Sequence, residues 1–139
     1  MIVVAIIAFL ATLAVPAGLR ARKRSQATSV LNDLRMIDAA LELYATENSK
    51  MSGAPVAISE WKRYIKMGTP LYETGRDVFG NAFGPQLVGR PPRVPGGTRS
   101  VLADTVGDEF WWPYNGDNAD ESSPSSPASP AQLTVAPAP

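Results

Sequence analysis

The chain has 139 residues, with 13 Lys and Arg balancing 13 Asp and Glu, and it contains no His and no Cys. That length suits one small domain with appendages rather than two sizeable cores. The missing Cys exclude disulfides, thiolate metal sites and Cys nucleophiles, and the missing His exclude Ser-His-Asp triads, His-ligated metals and a His general base.

The charge balance hides an uneven layout. Residues 1–19 carry no charged side chain, Arg20, Arg22, Lys23 and Arg24 form a basic collar, and after Arg99 every charged side chain is acidic. The head, MIVVAIIAFLATLAVPAGL, is interrupted only by Thr12, Pro16 and Gly18. As a helix it is ~28 Å long, close to the ~30 Å hydrocarbon core of a bilayer. Ile2, Val3, Ile6, Ile7, Phe9, Leu10 and Leu13 leave no polar face, so a surface helix of a soluble domain is a poor fit. Pro16 is expected to kink this helix without ending it. Small residues such as Ala14 and Gly18, one turn apart, permit close helix–helix approach. A removed signal peptide is the competing reading, with Val15-Pro16-Ala17 as a loose cleavage site. Against it stand the missing basic n-region and a run longer than the usual ~7–15 residues.

Residues 20–50 read as the amphipathic continuation of the same helix. Ala27, Val30, Leu31, Leu34, Ile37, Leu41 and Tyr44 recur at steps of three and four. No Gly or Pro interrupts the run, so one helix of about 70 Å is expected, with Gly53 and Pro55 stopping it. Residues 54–114 read as a small irregular α+β domain that must cover the stripe. Ser59 is expected to cap a helix Glu60–Lys66, ended by Gly68 and Pro70. β-prone pieces, Ala82–Val88 and Ser100–Leu102, predict a two- to four-stranded sheet. Turns fall at Thr74–Asp77 and at Phe79-Gly80-Asn81, where Gly80 or Asn81 takes positive φ. Phe110, Trp111, Trp112 and Tyr114 are expected to close the core. Residues 115–139, rich in Ser, Pro and Ala, read as a disordered tail.

The segment MIVVAIIAFLATLAVPAGLRARKRSQA resembles the N-terminal helix of type IV pilins and type II secretion pseudopilins. There too a hydrophobic helix with a Pro near its end runs into an amphipathic half, and Pro16 falls where that Pro is expected. The run from Tyr72 to Gly84, with Asp77-Val78-Phe79-Gly80-Asn81-Ala82-Phe83 at its centre, resembles the D-x-(F/W)-G-N-x-(F/Y) turn of major-pseudopilin-like proteins. Leu102-Ala103-Asp104 followed by Phe110-Trp111 resembles the end of the globular part in a subgroup of them.

The resemblance implies a long helix packed on a small antiparallel sheet, and a subunit that assembles rather than an enzyme. It implies a single-pass inner-membrane protein with its globular part outside the cytoplasm, extracted by assembly machinery into a filament of bundled helices. The partners implied are other pilin or pseudopilin subunits and inner-membrane lipid. The family precursor also has a basic leader, a Gly, and a Phe-Thr-Leu-Ile-Glu-like start. None of these is present after Met1, so no residue here is assigned as cleavage site or assembly glutamate. A leader upstream of Met1 is the expectation. It also resolves a conflict of topology, because the collar alone would put the C-terminus in the cytoplasm by the positive-inside rule.

Three further sites are weighed. The collar suits anionic lipid headgroups, at ~1 kcal/mol per basic residue, or carboxylates of neighbouring helices. Its plainest reading is a flank that stops the span sliding, and nucleic-acid binding is not expected of so short a run without interleaved aromatics. Asp117, Asp120 and Glu121 offer oxygen ligands for calcium without the spacing of an EF-hand. Major pseudopilins as a family bind calcium in a late loop, and Asp104, Asp108 and Glu109 are further carboxylates to consider. The plainer reading is a solvated acidic run, with no cofactor. Acid–base catalysis would need a pair such as Asp108 and Glu109, and adjacent side chains point apart. The alternative to a filament subunit is a small binding protein, secreted or membrane-anchored, with residues 1–17 as signal peptide or plain anchor.

Overall fold

The computed structural model describes residues 1–116, and the calcium candidates Asp117, Asp120 and Glu121 lie outside them, as does nearly all of the predicted tail. A single helix, α1, runs from Ile2 to Asn48 without a break, passing through Pro16. Its 47 residues extend ~70 Å at the usual rise. It ends earlier than Gly53 and Pro55 suggested. Ser49 takes a left-handed conformation with φ of 50°, and its N–H bonds back to the Ala45 carbonyl. This αL cap on a non-glycine residue turns the chain before any of the expected breakers is reached.

The rest of the described chain folds back on the lower half of α1. β1 (Pro55–Val56) pairs antiparallel with β2 (Gln86–Leu87), Pro55 opposite Leu87 and Val56 opposite Gln86. Bonds from Gly53 N–H to Val88 O (2.8 Å) and from Val88 N–H to Ala54 O (3.0 Å) continue the pairing at one end. A single bridge joins Arg76 to Ala82. The fold is therefore α+β, mostly helical, with a two-stranded antiparallel sheet among the described residues.

Five local expectations differ from the structure. The helix placed at Glu60–Lys66 is α2 (Ile58–Trp61) followed by a 3-10 turn (Lys62–Tyr64). Ser59 lies inside it and caps nothing. The Ala57 N–H instead donates to Glu60 Oε2 at 2.8 Å. Pro70 does not end a helix but opens one, α3 (Pro70–Thr74), where its missing N–H costs nothing. The Ala82–Val88 piece is not one continuous strand: it pairs at Ala82 and again from Gln86 to Val88, and the residues between belong to no strand. Ser100–Leu102, read as a strand, is the end of α4 (Gly96–Leu102), which starts after Pro95. A second 3-10 turn spans Asp108–Trp111.

The core lies between the α1 stripe and these short elements. Ala27, Val30, Leu34, Ile37, Leu41 and Tyr44 are buried, Leu31 is half-buried, and Ala40 joins them at the same helical spacing. They pack with Val56, Trp61, Ile65, Leu71, Phe83, Leu102 and Trp111. Trp111 and Tyr114 are buried and Phe110 is half-buried, standing edge-on to Trp111 at 5.0 Å. Trp112 departs from the expected cluster: it is 69% exposed.

Candidate functional site

The upper half of α1 has no partner among the described residues. Every residue from Met1 to Arg22 is exposed. An 18-residue window of this segment has mean hydropathy 2.6 and no residue buried, so by length and composition it is able to cross a membrane. Ile2, Val3, Ile6, Ile7, Phe9, Leu10 and Leu13 therefore present bare apolar side chains around the full helix circumference. Thr12, the one hydroxyl in this stretch, is satisfied within the helix by the Phe9 carbonyl at 2.6 Å, so it adds no unpaired polar group.

Below this segment comes the collar. Lys23 Nζ reaches across to Asp104 Oδ2, at 2.7 Å, and joins α1 to the end of α4. The Lys23 bond holds the Asp104 carboxyl below its ordinary range, with a second contribution from the Thr105 hydroxyl. Arg20, Arg22 and Arg24 make no ion pair with a carboxylate among the described residues. A groove of about 440 Å³ opens here. Pro16 and Leu19 line its upper part, Arg20, Arg22 and Lys23 the middle, and Gln26 and Asp104 the lower end.

The lower half of α1 is tied down by polar contacts as well as by its stripe. Tyr44 donates to Glu60 Oε1 at 3.1 Å, Tyr64 to Glu47 Oε2 at 2.6 Å, and Tyr114 to Asp38 Oδ2 at 3.4 Å. Tyr44 and Tyr64 also meet edge to face at 6.1 Å.

The turn around Asp77 is the best-built polar element. Asp77 Oδ1 accepts the N–H groups of Phe79 and Asn81, both at 2.9 Å. Its Oδ2 accepts a short bond from the buried Thr98 hydroxyl, and Asn81 Nδ2 donates to that same hydroxyl at 2.9 Å. Gly80 supplies the positive φ of 81°. Gly97 leaves room for Asn81, since a Cβ there would come within 2.8 Å of Asn81 Oδ1. The network clamps the turn to the first residues of α4 and occupies both Asp77 oxygens. Its chemistry is therefore structural. Periodicity and spacing could not have paired Asp77 with Thr98, or set Asp33 of α1 within its field. Burial first, and the Asp77 charge second, push the Asp33 carboxyl up to about 6.

The other carboxylates are not brought together. Asp104 is held by Lys23, and Asp108 pairs with Arg99 at 2.7 Å. Glu109 is exposed. Among the described residues no group of three or more acidic side chains is placed to hold a metal ion. Compared with protein-family models, with curated proteins and with solved structures, the chain matches none.

Proposed function

We propose that this chain is a structural subunit, pilin-like or pseudopilin-like, of a type II secretion or type IV pilus filament. It is held in the inner membrane by residues 2–19 with its globular part on the extracytoplasmic side, and it assembles by packing of N-terminal helices. Its partners are other such subunits, the surrounding lipid and the assembly machinery, and it carries out no catalysis.

One observation carries the reading: a single unbroken helix is covered along its stripe by its own domain in the lower half and left wholly uncovered in the upper half. Water is a poor environment for that surface, and lipid tails or copies of the same helix are good ones. The unbroken helix through the collar makes the uncovered segment a stiff extension of the domain, as a filament core requires and a plain anchor does not. The resemblance of the head and of the Asp77–Phe83 turn to pseudopilins points the same way.

Because the chain has no Cys, disulfide trapping is clean. Ile2→Cys and Leu13→Cys placed together are expected to yield a ladder of covalent oligomers on oxidation in membranes, since head-to-tail contacts propagate. Monomer alone, with the chain still resisting carbonate extraction, leaves a plain anchor. Mass spectrometry of the mature chain separates the remaining alternative: loss of residues 1–17 means a removed signal peptide.

A further inference from the structure

We infer that the collar groove is a binding site for an anionic phospholipid, whose headgroup phosphate lies among the cations that line it, Arg20, Arg22 and Lys23. The inference rests on the reading that residues 2–19 cross a bilayer.

Ala27 is the first fully buried residue of α1, only eight residues past Leu19. Eight residues of helix are ~12 Å, while the polar layer on each side of the hydrocarbon core is ~5–7 Å deep. Lys23 lies ~6 Å below Leu19. The Lys23–Asp104 pair therefore stands at headgroup level, and the domain abuts the membrane surface without a spacer.

Pro16, Leu19, Lys23 and Gln26 recur at helical spacing on the side of α1 that continues down to Val30 in the core. The groove thus runs along α1 directly above the domain. Its lining changes from apolar at Pro16 and Leu19 to cationic at Arg20, Arg22 and Lys23, the order of an acyl chain followed by a phosphate. Three cations face one carboxylate there, and that carboxylate is engaged by Lys23. Guanidinium groups present paired N–H donors that fit phosphate oxygens. A neighbouring helix of the same chain is a weaker occupant, because at this level it would bring a second set of Arg20, Arg22 and Arg24.

The test uses the full chain in nanodiscs of equal phosphatidylcholine and phosphatidylglycerol, with retained lipid counted by native mass spectrometry. Preferential retention of phosphatidylglycerol is expected. Arg20→Gln with Arg22→Gln is expected to lower that preference about 30-fold, at ~1 kcal/mol per basic residue near the surface. Asp104→Asn removes a carboxylate that repels phosphate and releases Lys23, so the preference should rise. Equal retention of both lipids, a preference unmoved by the arginine changes, or a fall in Asp104→Asn overturns the inference. Carbonate extraction from pure phosphatidylcholine vesicles reports the underlying reading. A chain that inserts yet shows no anionic preference overturns only the groove; a chain that never inserts overturns the span, and the groove with it.

Discussion

The two halves of α1 are both rich in apolar residues, yet they stand in different environments. From Ile2 to Leu19 the apolar side chains surround the helix and all are exposed, Ile2 at 78% and Leu19 at 59%. From Ala27 to Tyr44 they keep to one stripe, and Ala27, Val30, Leu34 and Ile37 are fully covered. Hydrophobicity alone does not separate these halves; its distribution around the axis does. A stripe can be satisfied by a domain on one side. A full circumference demands surroundings on every side, which the short elements after α1 do not supply. The collar marks the change, and Lys23 with Asp104 joins the two regimes.

If the halves are independent, each should fail alone. The largest effect is expected from Trp61→Ala. Trp61 is fully buried against the stripe and its indole N–H donates to the Gly84 carbonyl at 3.3 Å. Emptying such a site costs ~3–5 kcal/mol, so thermal melts of the full chain in micelles should show the domain transition lost or far lower. Membrane insertion of the same variant should be unchanged. The converse variants, Ile7→Asp and Leu10→Arg, put a charge near the centre of the apolar segment at ~2.5–3.5 kcal/mol for insertion. They should abolish carbonate-resistant membrane association and leave the melting of residues 27–114 where it was. If they also melt the domain, the division of the helix is wrong.

A smaller effect tests how the domain holds its shape against the lower half. Thr98→Val keeps volume but removes the hydroxyl between Asp77 and Asn81. One buried carboxylate oxygen then loses its donor, at ~1–3 kcal/mol. Urea melts should register that loss. No change would mean that the turn is held by its backbone bonds to Asp77 alone.

The long helix and its stripe were legible because each is a repeat of one local rule over many residues. The Asp77–Phe83 turn was legible as a turn, since Gly and Asn mark positive φ, which falls at Gly80. What sequence left hidden depends on contacts far apart in the chain. Ser100-Val101-Leu102 has β-prone character, yet Asn81 reaching Thr98 and Leu102 entering the core favour a helix there. Ser59 has the chemistry of a cap, but the chain turns into its helix two residues earlier, and Glu60 answers the free N–H instead. Pro70 illustrates a rule with two signs, because proline both ends helices and starts them. Trp112 belongs to an aromatic run of which only part can face inward. The carboxylate field between Asp33 and Asp77 crosses 44 positions of sequence and has no local signature.

That field supplies the finest test of the boundary between stripe and solvent. Asp33 sits beside Leu34 on the edge of the stripe, half-buried, and its carboxyl is pushed up to about 6 by burial first and by Asp77 second. In the unfolded chain it titrates near ~3.9. Between those values the folded state keeps a proton that the unfolded state has released, so raising pH destabilises the fold across that window. The full contribution is present below ~4 and gone above about 6. Since Asp33 is partly open to water, screening reduces the effect to ~1 kcal/mol. Asp33→Asn should therefore stabilise the domain by that amount at neutral pH and flatten the fall in urea-melt stability between pH 4 and 6. A residual slope should persist, because burial also raises the Asp38 carboxyl above its ordinary value. If Asp33→Asn leaves both the slope and the neutral stability unchanged, Asp33 faces water as its polar neighbours do. The edge of the stripe would then lie one residue further inside than Leu34's burial places it.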